Sequence, residues 1–247
     1  MEVYVCIDDT DNLESRGTGE LAALLADDIE NNGWGTSSFI TRHQLLVHPD
    51  IPYTSHNSSM CFSATINDAC LETLISHASG FLEKESAEGS DPGLCVAVSD
   101  RIGSPETLMD FGRKAKQQVV TKSEAYYLAQ NLGVHLSAHG GTGHGVIGAL
   151  AGVGLRIGGN DGRMRGGLKL GAEKGVVKVS EICAHPQVDA VKSADGKVLG
   201  NEERVMLGEK IKTVLLEGMS VLLVVPGEGG TETAPWRTCP RQLLKKY

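Results

Sequence analysis

Val3, Val5 and Ile7 alternate along the opening segment, the pattern breaks at the acidic run Asp8-Asp9-Thr10-Asp11, and from Thr18 apolar residues return every fourth position at Leu21, Leu25 and Ile29. A period of two marks a strand and a period near 3.6 marks a helix. The spacing therefore predicts a strand, an acidic loop where it ends, and a helix that runs to about Asn31 and stops near Gly33. This strand, loop and helix form the first unit of a mixed α+β fold.

Further elements follow the same logic. Residues 37–48 read as a strand or strand pair, and the segment HPDIPYTSHNSS reads as an exposed loop that Pro52 keeps extended. Next come a strand over 60–66, a helix with Leu71, Leu74, Ile75, Ala78 and Leu82 on one side, and a strand over 94–98. Ser104 and Pro105 begin another helix, with Leu108, Phe111, Ala115 and Val119 as its stripe. The β-α-β-α order suits a ferredoxin-like lobe over 59–133. Thr121 and Glu124 have capping-box spacing ahead of a short helix that ends at Gly133. Beyond about Gly175, a hairpin signal at Asp195-Gly196 and a strand over 221–225 indicate a small β-rich region, 176–247.

Composition narrows the function classes. The 247 residues are 40% hydrophobic but only 4% aromatic, so aliphatic side chains must fill the core, and two lobes are expected. With 31 acids against 23 bases the formal charge is -8, which disfavours attraction of polyanions or acidic membranes by the surface as a whole. No stretch reaches the roughly 20 apolar residues that cross a bilayer, and MEVYVCIDD turns acidic too early for a signal peptide, so the chain reads as cytoplasmic with no membrane partner. The six cysteines form no C-x-x-C pair and read as buried free thiols. His43, His48 and His56 have spacing that a metal site could use, but polar loop and surface positions are the commoner use of such residues.

Three carboxylates within four residues repel one another unless a cation offsets them. Magnesium suits this acidic loop, because it takes hard oxygen ligands, commonly one or two carboxylates together with nucleotide phosphates. A solvated polar turn is the plain alternative. An aspartyl-phosphate site at Asp9-Thr10-Asp11, similar to that of haloacid-dehalogenase-like phosphatases, would need a downstream GDxxxD motif, and the sequence has none.

Gly140, Gly141, Gly143 and Gly145 surround Thr142 and His144, and Val146, Ile147, Leu150 and Ala151 follow at helical spacing. Glycines let backbone N–H groups approach an anion, and a helix that starts there adds its positive end. The segment is no Walker A loop, since GTGHGVIG lacks the lysine followed by Ser or Thr. Tight helix packing is the competing use of such glycines. Arg156, Arg163 and Arg165, which follow the helix, have the chemistry to clamp phosphate.

With these segments in view, the chain resembles the archaeal tRNA-isoleucine agmatidine synthase family. The resemblance rests on IDDTD with RGTGELAALLA, then HPDIPY, DPGLCVAV and GHGVIGALAGVG, four pieces in the family's order across roughly the first two-thirds of the chain. It implies a kinase-like catalytic lobe (1–58 and 134–175) beside the ferredoxin-like lobe. It implies ATP and magnesium at Asp8, Asp9 and Asp11, with Thr18 meeting or receiving a phosphate. Arg16, Gly140, Gly141, Thr142, Gly143, His144 and Gly145 would hold the nucleotide, and His56, Asn57 and Arg156 would face the substrate. The family's OB-fold and cysteine zinc ribbon have no visible counterpart, and TSHNSS replaces a basic TRGN-like run.

The expectation is thus a magnesium-dependent, ATP-using phosphotransferase or ATP-activating ligase. Its favoured acceptor is a small polar molecule, with tRNA ranked second and a homodimer allowed. Two other readings stand beside it: a cytidine-modifying tRNA enzyme with a separate RNA-binding partner, and a nucleotide sensor without turnover.

Overall fold

The structure is a computed structural model that describes residues 1–51, 57–171, 175–227 and 234–247. The chain divides into two compact units, Met1–Gly158 and Gly159–Tyr247. The mixed α+β class expected from the sequence is the class observed.

In the first unit the opening alternation forms strand β1 (Glu2–Asp8), and the period-four run forms helix α1 (Thr18–Asn31), after which Gly33 turns left-handed at φ +68°. There follow β2 (Gly35–Ser37), β3 (Thr41–Gln44), β4 (Ser58–Ile66), α2 (Leu71–Glu85), β5 (Gly93–Val98), α3 (Pro105–Ala115), α4 (Lys122–Leu132), β6 (His135–Ala138) and α5 (Gly145–Ile157). The strands lie in the order β6-β5-β1-β4-β3, and β2 also pairs with β4. Their pairings are antiparallel, with Cys6 of β1 opposite both Cys61 of β4 and Cys95 of β5.

The alternation of β1 decides what each face of this sheet carries. Val3, Val5 and Ile7 point to one face, where they pack with Leu21, Leu25 and Ile29 of α1 and Leu74, Ala78 and Leu82 of α2. Cys6 points to the other, among Leu108 and Phe111 of α3, Ala125 and Ala129 of α4, and Val146, Ala149, Leu150 and Val153 of α5. Each fully buried Leu or Ile contributes about 1.5–3 kcal/mol, so two aliphatic layers replace the aromatic core that the composition denies. Asp8, one step of two beyond Cys6, follows it onto the α5 side.

Several boundaries differ from those drawn on the sequence. The β-α-β-β-α-β run is β1-α1-β3-β4-α2-β5, so the ferredoxin-like order occupies residues 2–98 instead of 59–133. Strands assigned to two lobes lie in one sheet because β1 pairs on both edges with strands from the other supposed lobe, and the division between units falls after Gly158 instead of after 175. Helix α3 ends at Ala115. Val119, expected on its stripe, lies beyond the helix and is 46% exposed, because the capping box of α4 begins at Thr121.

The second unit contains β7 (Arg163–Met164), β8 (Val176–Lys178), α6 (Val179–Cys183), β9 (Ala190–Ser193), β10 (Arg204–Met206), β11 (Thr213–Leu216), β12 (Met219–Pro226), β13 (Trp236–Thr238) and α7 (Arg241–Leu244). Strand β12 is its spine. It pairs with β9 along one edge and successively with β11 and β13 along the other. The Asp195-Gly196 turn follows β9, where Ser193 N–H donates to the Lys197 carbonyl. All six cysteines are free, with Cys6, Cys61, Cys95 and Cys239 buried and Cys70 and Cys183 partly exposed. Among the described residues, no helix is long and apolar enough to cross a membrane.

Candidate functional site

The first unit encloses a cavity of about 370 Å³ that the end of β1, the loop after it and the start of α5 share. Its wall includes Asp8, Asp9, Asp11 and Thr18 together with His144, Gly145, Ile147 and Gly148. Asp50, Asn57 and Ser58 add to the wall, as do residues 118–121 between α3 and α4 and Lys122 and Ser123 at the start of α4. The size falls within the range of small-ligand sites.

Asp8 reaches this wall because glycines in α5 leave room for it. A Cβ at Gly148 would lie 1.7 Å from Asp8 Oδ2, and one at Gly152 would lie 2.4 Å from Cys6 Sγ, so the i, i+4 glycines accept successive side chains of one strand face. The chain then turns sharply: Asp9 has φ +50°, a left-handed conformation that Asp tolerates better than most residues. Asp11 lies beside Gly17, the N-cap residue of α1, 3.6 Å from where a Cβ would be. Thr18 is buried at the first turn of α1, and because the cap position belongs to Gly17, its hydroxyl is not the helix cap.

The electrostatics follow from burial. Asp8 is pushed well above the usual carboxylate range by burial first and by the charges of Asp9 and Asp11, while the Asp9 backbone N–H pulls the other way. Asp9 is pushed up to about 6 by burial, then by Asp91 and Asp11. Among the described residues, Lys122 is the only Lys or Arg on the cavity wall, against Asp8, Asp9, Asp11 and Asp50. Hard carboxylate oxygens clustered in this way suit a divalent cation. Among the described residues no group of three His, Cys, Asp or Glu side chains is arranged to enclose a metal. Magnesium still fits, since it needs only one or two carboxylates when waters and phosphate oxygens complete its shell.

The glycine run behaves otherwise than expected. Asp91, just before β5, accepts hydrogen bonds from the backbone N–H and the hydroxyl of Thr142, and from the Gly143 N–H at 3.3 Å. Burial raises the Asp91 carboxyl, but these bonds and one from the His144 backbone more than offset that and hold it below its usual value. Gly141, at φ +54°, could carry no side chain here, because a Cβ would lie 1.8 Å from Asp91 Oδ1. The nest of N–H groups thus takes an anion, and that anion is part of the chain. Gly140, Gly141, Thr142 and Gly143 lie outside the cavity wall, whereas His144 and Gly145 are on it.

Other expected residues separate. Asn57 is on the wall and ties the neighbouring loop, donating to the Leu46 carbonyl at 2.6 Å. His56 lies outside the described residues. Arg156 is buried away from the cavity, donating to Ser38 Oγ at 3.1 Å and Thr41 Oγ1 at 3.3 Å with its guanidinium 4.3 Å from the Phe39 ring centroid. Arg16 pairs with Glu85. Arg163 and Arg165 belong to the second unit. His43 is buried and hydrogen-bonded to Thr41 at 2.7 Å. Sequence reasoning misses Asp91 and Lys122. The turn signal Ser90-Asp91-Pro92 ahead of a strand could mark the first; nothing in the sequence distinguishes the second from other helix-start lysines.

No family model matches the chain. It is similar to curated proteins described as TiaS, the 2-agmatinylcytidine synthetase of an isoleucine tRNA: 29% identical over 160 residues to that of Methanosarcina acetivorans and 30% over 161 residues to that of Methanosarcina mazei. Each match covers 63% of this chain and 36% of the relative, so the match takes in about a third of the length of these relatives. Among solved structures it is similar to a tRNA fluorescent labeling enzyme, with TM-score 0.55, 28% identity, and coverage of 62% of this chain and 36% of the other. The complex of TiaS with its tRNA and ATP shares the fold, with TM-score 0.55, 22% identity, and coverage of 82% and 50%. These relatives are tRNA enzymes, which overturns the ranking of a small-molecule acceptor above tRNA. The net acidity that contributes to that ranking is an average over the whole chain and says little about any one surface. Sequence and fold together place this chain as a relative of the TiaS family of tRNA agmatinylcytidine synthetases.

Proposed function

We propose that the chain is an ATP-dependent enzyme that activates a nucleotide of a tRNA, with its chemistry in the cavity of the first unit. One observation carries this reading: the acidic turn near the N-terminus and the start of α5, more than a hundred residues apart, line one cavity that is dense in carboxylates. The relatives are tRNA agmatinylcytidine synthetases, and one related structure holds ATP together with tRNA.

In this reading Asp8 and Asp9, with Asp11 beside them, would hold magnesium, which would offset phosphate charge. The residues of the chain then position and neutralise, which is most of what phosphoryl transfer asks of a protein. Thr18, buried on the wall at the start of α1, faces the polyphosphate. His144 and Gly145 present the positive end of α5 to it. Lys122 supplies the positive charge that the sequence pattern assigns to Arg156, Arg163 and Arg165. Asn57 holds the loop on the acceptor side, and His56 belongs to the same segment.

The charge distribution agrees with an RNA substrate better than the total does. Residues 159–247 carry 14 Lys and Arg against 11 Asp and Glu, whereas residues 1–158 carry 9 against 20. The acidity that counts against polyanions is therefore confined to the unit that holds the carboxylate cavity.

The test is phosphate release from γ-labelled ATP, with magnesium and tRNA transcripts, by the wild-type chain and by an Asp8→Asn, Asp9→Asn double variant. Turnover that depends on tRNA and is lost in the variant supports the proposal. Turnover that survives the double substitution removes the metal assignment, and turnover indifferent to tRNA removes the acceptor.

A further inference from the structure

Beside the cavity lies a second, more open depression, lined by Lys122, Tyr126, Ala138, Gly140, Gly141, Thr142 and Gly143. Lys122 lines both depressions and, among the described residues, is the only Lys or Arg in either. Its ammonium donates to the carbonyl of Thr142, so it stands at the junction of the cavity and the glycine loop. Tyr126, one turn further along α4, is 42% exposed in a chain with few aromatic residues. The lining between them includes the backbone of Gly140, Gly141 and Gly143.

These features have one occupant in common. A base that undergoes chemistry inside a cavity has to leave its stack, which costs a few kcal/mol, and the nucleotide next to it loses a stacking partner. An exposed aromatic ring at the edge of the depression replaces that partner, and a cation at the junction meets the phosphate between the two nucleotides. We propose that this groove holds the nucleotide adjacent to the one that enters the cavity, its base stacked on Tyr126 and the linking phosphate beside Lys122. The partner is thus a single-stranded segment of RNA. The proposal rests on the tRNA reading above and adds the surface that would read the strand.

The experiment measures fluorescence anisotropy of a labelled, cytidine-containing heptaribonucleotide with the full chain at about 50 mM salt, where phosphate contacts are strong. Tyr126→Ala is expected to weaken binding about fivefold to a hundredfold, the span of measured base–aromatic stacking, and Tyr126→Phe to retain wild-type affinity. Tyr127→Ala is the control: Tyr127 is 71% exposed but outside the groove, and its loss is expected to leave affinity unchanged. Affinity for a non-hydrolysable ATP analogue, measured separately by calorimetry, is expected to match wild type in all three variants.

RNA affinity that is unchanged in Tyr126→Ala, or lost equally in Tyr127→Ala, overturns the groove assignment. So does sedimentation in which Tyr126→Ala splits a dimer while RNA binding persists, since the occupant would then be a second copy of the chain. A wild-type chain that binds no RNA overturns it as well, and normal binding of the ATP analogue in that case shows the nucleotide half of the proposed function to be unaffected.

Discussion

Asp8 and Gly148 are packed so closely that a single methyl group on the glycine would lie 1.7 Å from a carboxylate oxygen. Gly148→Ala must therefore push Asp8 or the first turns of α5 aside. Overpacking of this kind costs about 1–3 kcal/mol, so the expected thermal shift is a drop of several degrees. Because the same displacement reaches the cavity wall, the proposed function predicts that affinity for a magnesium–nucleotide complex falls with it. Calorimetry on the variant and thermal unfolding without nucleotide check both parts; unchanged stability and affinity would mean that α5 is looser than its packing indicates.

Asp91 holds the glycine loop through the Thr142 and Gly143 backbone N–H groups and the Thr142 hydroxyl. Asp91→Ala leaves those donors without their acceptor, and the Gly143 N–H is buried, where an unsatisfied group costs about 1–3 kcal/mol. The loop contains residues of the glycine groove and leads into His144 and Gly145, so destabilisation is expected together with faster amide exchange at residues 140–145. If hydrogen exchange there matches wild type, the carboxylate is not what holds the loop.

How much of this is legible in the sequence depends on how local the determinant is. Strand β1, helix α1 and the capping box at Thr121 and Glu124 are readable because a few adjacent residues decide them. The partition into lobes is not, because the pairing of β1 with both β4 and β5 is a matter of topology that no local pattern encodes. For the site, the acidic turn is visible as a cluster of charge. The glycine run reads as a phosphate cradle because sequence shows how many N–H groups are freed to bind an anion but not which anion reaches them, and Asp91 is 51 residues from Thr142 along the chain. Arg156 illustrates the converse: a guanidinium expected on phosphate is instead used to pack Phe39 and bridge Ser38 and Thr41.

Lys122 makes a separable prediction. As the sole Lys or Arg among the described residues of the cavity wall, it should contribute to ATP affinity through charge, and replacing it with Gln should weaken nucleotide binding by about 1.5–3 kcal/mol, the worth of a charged hydrogen bond. Lys122→Arg, which keeps the charge, should lose less. Titration of both variants with ATP at low and high salt distinguishes the two, since an electrostatic contribution shrinks as salt rises. Equal affinities for wild type and Lys122→Gln at low salt would remove the residue from the nucleotide site.

The carboxylate cluster sets a pH dependence whose sign can be worked out from Asp9. Its carboxyl is raised to about 6 in the folded chain, against about 3.9 when unfolded, so between these values the folded state holds more protons. In the absence of metal, stability is therefore greatest below about pH 4, falls as the pH rises towards 6, and levels off above that. Asp9→Asn should flatten this slope and leave the metal-free protein more stable at pH 7, on the order of 1 kcal/mol once solvent screening is allowed for. On the proposed function magnesium would act in the opposite direction: it needs the ionised carboxylate, so any stabilisation that it confers with a nucleotide should grow from pH 5 to 7 in the wild type and be lost in the variant. Thermal unfolding across that range, with and without magnesium and an ATP analogue, separates the two effects. A variant that is less stable at pH 7 without metal would show that Asp9 is held by contacts stronger than its repulsion from Asp91 and Asp11.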